Sequence, residues 1–264
     1  MFTSPSSGLW NMATMKASII LLAVLALVGR QAQAEDAPEF DRPGIGFATS
    51  TVGKAVFVWE QGLPDASRDH SDGLTTTTWT ADTLLRVGLA DTLELQLGAN
   101  SWTGLRVRGA GVRVQESGGG DGNVALKWAP KLAHEQLSLA FKAGTSLPWG
   151  RAPLGDAGYD YDMGMTTAWA LPHDSSLALY VDRQWGDGGS GWLFSPSYGF
   201  VLRPQLSAYV EAGYGTGAQY MRAAGAGVTW MVSPRVQLDV SFLRGLDADT
   251  TDWQGGVGVS MYFN

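Results

Sequence analysis

Polar and apolar residues alternate along most of this chain. The run Thr92-Leu93-Glu94-Leu95-Gln96-Leu97-Gly98-Ala99-Asn100 is the clearest case. Side chains on a strand point to opposite faces with a period of two, so such a run marks a strand with one apolar and one polar face. The pattern predicts strands near 53–61, 77–88, 92–101, 122–129, 136–146, 158–170, 176–186, 191–202, 205–215, 220–232, 235–244 and 253–263. Short connectors at 89–91, 130–135, 171–175, 203–204 and 233–234 alternate with mostly longer ones, rich in Gly, Asp and Ser, at 62–76, 102–121, 147–157, 187–190 and 245–252. An even count of two-faced strands joined in this rhythm predicts an all-β fold, a transmembrane antiparallel up-and-down β-barrel of about 12 strands. Only a closed sheet leaves no backbone group unpaired in lipid. Short turns of such barrels face the periplasm, which predicts periplasmic termini and outward long loops.

A repeat of aromatic residues supports this register. Trp128 precedes Pro130, Trp169 precedes Pro172, Phe200 precedes Pro204 and Trp230 precedes Pro234, each where a strand enters a short turn. Aromatic rings favour the lipid–water boundary, and proline ends the ladder there, so these four are read as a periplasmic girdle. Trp59, Trp102, Tyr159, Trp192, Tyr214 and Trp253 are read as a second girdle at the opposite strand ends. Leu93, Leu95, Leu97, Leu126, Leu177, Val210 and Val240 share the lipid face. The opposite face carries Glu94, Gln96, Lys127, Lys142, Tyr180, Asp182, Tyr209, Glu211 and Asp239. An Arg or Lys at the bilayer midplane costs roughly 2–4 kcal/mol, so this second set is read as lining the lumen, acids and bases opposed. Two strands break the rule: Leu84 shares a face with Arg86, and Arg222 shares one with Trp230, which places Arg222 beyond the membrane edge.

Ahead of the strands, Lys16, an apolar core from Ile19 to Val28 and Ala32-Gln33-Ala34 read as a secretion signal. The expected organisation is a signal peptide over 1–34, with Met15 the expected start, a segment 35–52 that trails in the periplasm or plugs the lumen, and a barrel over 53–264. Cleavage after Ala34 leaves 16 basic against 25 acidic residues, a net charge of −9. That balance argues against a nucleic-acid partner. The chain has no cysteine, hence no disulfide framework and no thiolate metal site. The last strand alternates from Val257 to Phe263, the form barrels present to their assembly machinery, with Asn264 following the aromatic.

Longer stretches carry a family likeness. Asp41-Arg42-Pro43-Gly44, Glu60-Gln61-Gly62-Leu63-Pro64 and Leu84 through Gly98 resemble the MetA-pathway of phenol degradation family of outer-membrane "transporter" barrels. So do Gly122 through Trp128, Gly144 through Pro148, Gln237 through Ser241, Arg244-Gly245-Leu246 and Asp252-Trp253. These are strand and turn patterns. The resemblance implies an outer-membrane barrel that takes up small aromatic or hydrophobic compounds, and it brings no catalytic residue.

Candidate chemistry changes this picture little. His70 falls in a predicted outer loop, His134 and His173 in short turns, and none shares a face with a serine and an acid, so no enzyme is expected. Asp160 and Asp162 project two carboxylates to the lumen near the outer rim and read as solvated acids, with repelling anions or holding a cation as the alternative. Asp247, Asp249 and Asp252 lack the glutamate and central glycine of a calcium loop, and Gly118 through Gly122 lacks the Gly-Lys-Ser/Thr of a phosphate loop. Arg106, Arg108 and Arg113 form an outer basic patch, Arg106 and Arg108 on one side of an extended outer segment; it reads either as meeting lipopolysaccharide phosphates or an anionic solute, or as a solvated hairpin extension. The expectation is a bacterial outer-membrane channel for passive uptake of small molecules, exported through the periplasm. A non-transporting structural or receptor barrel is the alternative, and a barrel lipid hydrolase a weaker one. Expected partners are outer-membrane lipid and lipopolysaccharide, the barrel assembly machinery and a small-molecule solute; no cofactor and no metal are expected.

Overall fold

A computed structural model describes residues 39–155 and 158–264. The signal peptide and the first residues of the 35–52 segment lie outside the described residues. Fourteen antiparallel strands form one sheet: β1 (Phe57–Gly62), β2 (Asp65–Ser71), β3 (Leu74–Ala90), β4 (Leu93–Gly109), β5 (Val112–Gly118), β6 (Gly122–Trp128), β7 (Leu137–Leu147), β8 (Asp160–Leu171), β9 (Ser175–Gly186), β10 (Gly189–Arg203), β11 (Leu206–Gly217), β12 (Met221–Ser233), β13 (Val236–Gly245) and β14 (Trp253–Phe263). The barrel closes where β1 pairs with β14, Phe57 opposite Phe263 and Gly62 opposite Gly258. β2 continues the line of β1 after a break at Leu63-Pro64, pairing with β14 and β3. β5 and β6 likewise share β4 as their partner along one line. The wall is therefore twelve strands thick in circumference, with two of them interrupted.

The interruptions correct the expected loops at 62–76 and 102–121, which are mostly strand. The run Thr75-Thr76-Thr77-Thr78-Trp79-Thr80 is β-branched and aromatic, so it extends β3 to 17 residues instead of forming a loop. The connectors shrink to Asp72-Gly73 and Ala110-Gly111, all four residues with positive φ, as tight hairpin turns require. His70 consequently sits on β2, opposite Thr75, not in a loop. About six residues of β3 and β4 exceed what a membrane crossing needs, roughly 20 Å along the strand axis and less than that in height because the strands of such barrels tilt. The strand expected over 53–61 begins only at Phe57, because Ala55, at a φ of 63°, turns the chain out of the barrel interior onto the wall.

Facing follows the alternation. Leu126, Leu177, Val210 and Val240 are between 45 and 49% exposed on the outside, while Glu60, Arg86, Glu94 and Lys127 inside are completely buried. Exposed large apolar side chains on most strands, though not on β1, β2 or β7, form the band that lipid covers. Trp128, Trp169 and Trp230 are exposed at the short-turn end, Phe200 is half-buried beside them, and Trp128 stacks on Phe141 at 5.7 Å. Trp102, Tyr159, Trp192 and Tyr214 are exposed at the other end. Trp59 is not among them: it stands two residues into β1, opposite Met261 and Leu85, in the short-turn half. Pro196 lies mid-strand, and the β10–β11 ladder passes from Phe194 opposite Tyr214 to Ser197 opposite Glu211 without it, since proline has no N–H to donate.

Candidate pore lumen and its inserted segment

Residues 39–52 have no periodicity to make them a strand, and together with 53–56 they fold inside the barrel. Both limbs of this segment stand toward the short-turn end, where the Ser50 hydroxyl donates to the Glu39 carboxylate and the Thr51 hydroxyl to the Asp91 carbonyl at 2.9 Å. Between them the chain rises to a tip at Arg42-Pro43-Gly44. Wall carboxylates accept its backbone N–H groups: Glu60 from Asp41 (3.0 Å) and Arg42 (2.7 Å), Glu211 from Ile45 (2.9 Å) and Glu94 from Val52 (2.7 Å). Hydrogen bonds to charged groups each contribute about 1.5–3 kcal/mol, and these four do not depend on the segment's side chains. Gly46 lies against Tyr180, where an added Cβ would fall 2.9 Å from the tyrosine Cβ. Gly88 admits the foot of the segment, since a Cβ there would meet the Gly53 carbonyl oxygen.

Side chains arrange the charges in two tiers. In the lower tier the Asp41 carboxylate accepts from Lys127 Nζ and from Gln96 Nε2, each at 2.7 Å, and lies 3.5 Å from Arg86. Arg86 itself donates to Glu94 at 2.9 Å and to Glu60 at 3.0 Å. Burial by itself would raise the Asp41 carboxyl, but the charges of Arg86 and Lys127 outweigh it and hold the group well below the ordinary carboxylate range. Phe47 packs edge-on to Tyr180 at 5.4 Å, with Lys142 Nζ 4.8 Å and Lys127 Nζ 5.3 Å from its ring centre. In the upper tier Arg42 is the hub, pairing with Asp82 at 2.8 Å, Asp65 at 3.2 Å and Asp239 at 3.5 Å. Above it opens a cavity of about 410 Å³ toward the long-hairpin end, floored by Arg42, Pro43 and Gly44 and walled by Asp65, Asp82, Glu211 and Gln254.

All nine residues read as lumen-lining face inward, but they do not form one site. Glu94, Gln96 and Lys127 meet around Asp41 and Arg86; Lys142 and Tyr180 meet around Phe47; Glu211 and Asp239 stand near the tip. Tyr209 flanks Gly44, and Asp182 accepts from Gln219 at 2.8 Å. In the lower tier Arg86 and Lys127 meet the acids Asp41, Glu60 and Glu94, whereas in the upper tier Asp65, Asp82 and Asp239 surround Arg42 and Glu211 lines the same cavity. Buried polar atoms without a hydrogen-bond partner among the described residues, the Tyr209 hydroxyl, the Thr166 hydroxyl, Asp182 Oδ1 and Asp239 Oδ2, give the interior polar valences that water or a solute can meet. Alternation did not single out Glu60, Asp65 or Asp82. Arg86 was visible only as an exception, because Leu84 shares its inward face.

Arg106, Arg108 and Arg113 stand on β4 and β5, Arg108 directly opposite Arg113. His70 Nδ1 lies 3.1 Å from the Thr75 hydroxyl, and His134 and His173 are in short turns. Asp160 and Asp162 stand on the inward face of β8, Asp160 Oδ1 accepting from Gly188 N at 2.9 Å. Asp247 accepts from the Tyr220 hydroxyl at 2.7 Å. Among the described residues no three His, Cys, Asp or Glu side chains gather as a metal site.

A model of the family described as "Putative MetA-pathway of phenol degradation" matches residues 40–263. The fold is similar to that of the COG4313 outer membrane channel from Pseudomonas putida F1, at 15% identity and a TM-score of 0.63, covering 84% of this chain and 99% of that one. It is also similar to the KdgM porin solved with disordered oligogalacturonate, at 12% identity and a TM-score of 0.54, covering 79% and 99%. None of the curated proteins matches the sequence.

Proposed function

The chain belongs to the MetA-pathway of phenol degradation family, and from that premise we propose that it is a non-enzymatic outer-membrane channel for small, uncharged or cationic aromatic molecules, closed at rest by its inserted segment. The observation that carries this reading is how the segment is held. It docks through charge pairs and carboxylate–backbone bonds at the edge of a water-accessible cavity, contacts that water can replace as the segment leaves. Displacing it would open a path past Phe47, Tyr180 and Tyr209, whose rings offer stacking surfaces with hydroxyl partners. The acids around Arg42 repel anions at the long-hairpin mouth, which in this reading faces outside, with the short turns and the feet of the segment in the periplasm.

Liposome swelling tests the selectivity. Proteoliposomes of the full chain carrying Arg42→Ala, which releases the segment, are expected to admit phenol and benzylammonium-type cations faster than benzoate of similar size, each measured above empty liposomes; equal rates for all three, or none above empty liposomes, would refute the reading. The completeness of the Arg86–Glu60–Glu94–Asp41 network favours a second reading, a barrel whose interior is a fixed brace. It is separated by the same assay, since a brace gives no flux even after the segment is released.

A further inference from the structure

Charged side chains on the wall sort by face. On the upper sheet of β2, β3, β4 and β5 the register sets Arg68 opposite Thr77, Thr77 opposite Arg106 and Arg108 opposite Arg113, all outward with Trp79 and Trp102. The acids of the same strands, Asp65, Asp69, Asp82 and Glu116, alternate onto the inward face, where Asp65 and Asp82 wall the cavity. The outward arginines continue around the rim. Arg244 lies opposite Trp253, which itself lies opposite Arg68. Arg183 sits 5.4 Å from the Trp192 ring, and Arg222 sits 3.7 Å from the Tyr214 ring and 4.7 Å from that of Tyr220. None of these arginines forms an ion pair among the described residues.

Two details point to an anionic occupant. Like charges directly opposite one another on adjacent strands are destabilising, yet Arg108 and Arg113 face each other with no acid between them. The Arg106 Nε is buried without a hydrogen-bond partner while its guanidinium carbon stands 5.6 Å from the Trp79 ring. Guanidinium groups bind phosphate bidentately, and the aromatic rings beside them are the residues that settle at the edge of a bilayer. We propose that this arginine collar, extending the three-residue patch around the rim, binds the phosphate groups of a phosphorylated glycolipid in the outer leaflet. The wide upper sheet offers the closest-set groups. The inference rests on the placement of the barrel in the outer membrane and not on channel activity.

The full chain, folded in dodecyl maltoside, is titrated with bisphosphorylated lipid A, with the same lipid after its phosphates are removed, and with inorganic phosphate, and bound molecules are counted by native mass spectrometry. The bisphosphorylated lipid is expected to bind at least about tenfold more tightly than either other probe, a preference that falls away in salt on the order of 0.5 M. Equal affinity for the two lipids overturns the proposal without need of any variant, and equal affinity for inorganic phosphate shows a site for free anions instead and overturns it too. Combining Arg106→Gln, Arg108→Gln and Arg113→Gln is expected to remove most of the preference, whereas Arg203→Gln with Arg235→Gln, at the short-turn end, leaves it; equal losses in both contradict the collar. Bilayer conductance of the same preparations is expected to be unchanged, so a failed collar and a failed channel give different results.

Discussion

Arg42→Ala removes the hub of the upper tier and leaves the strand wall intact. The guanidinium pairs with Asp82, Asp65 and Asp239 at 2.8, 3.2 and 3.5 Å, and its own side chain is 12% exposed. The Asp82 side chain is 36% exposed, so water screens that pair and the short distance overstates it. Allowing about 1 kcal/mol for each of the three, the loss is about 3 kcal/mol of docking, or about 100-fold in the ratio of docked to released segment. Removing one cation also leaves three carboxylates unpaired at the mouth. In planar bilayers Arg42→Ala is expected to raise open probability strongly and to shift the reversal potential toward cation selectivity, while migrating as a folded barrel in unheated gels. Closed-state occupancy and selectivity equal to those of the wild type in a folded variant would refute the reasoning, because the ion pairs would then hold nothing that moves.

Gly46→Val places a side chain against Tyr180 and is expected to open the channel as Arg42→Ala does, read as conductance, without lowering the yield of folded barrel. Leu126→Arg, on the lipid face, is expected to lower folding free energy by roughly 2–4 kcal/mol in denaturant titrations into bilayers, whereas Gln254→Arg, on the cavity wall, folds normally; equal costs would mean the faces are misassigned. Docking depresses the Asp41 carboxyl, so its contribution to docking is fully present above the free-chain value of about 3.9 and is lost as pH falls below it toward the docked value. Open probability of Asp41→Asn should therefore exceed that of the wild type at pH 7 and converge with it in strong acid, followed by conductance across a pH series; a constant gap at all pH values would assign the effect to something other than this charge.

The wall was legible because lipid enforces it. Leu93, Leu95 and Leu97 cannot exchange faces with Glu94 and Gln96 without placing charge in hydrocarbon, so alternation carries both strand position and facing. The extended upper strands were not, because outside the membrane that constraint lapses: Thr75 through Thr80 alternate nothing, and their strand character rests on propensity and on the tight Asp72-Gly73 turn. The inserted segment was still less so. Asp41 and Arg42 lie in a stretch with no period, and their partners on the wall are 18 to 197 residues away along the chain. Arg86 shows the intermediate case, since its inward neighbour Leu84 blurs the face although its charge has nowhere else to go.

The most direct test uses the absence of native cysteine. The Thr49 and Ser138 hydroxyl oxygens are 2.7 Å apart, one on the inserted segment and one on the wall, so combining Thr49→Cys with Ser138→Cys puts two sulfurs within bonding reach. Single-channel recording of that variant in the Arg42→Ala background, oxidised and then reduced, is expected to show a closed barrel that opens when the bond is broken. Identical conductance before and after reduction, with oxidation verified by mass, would contradict the claim that the segment closes the pore.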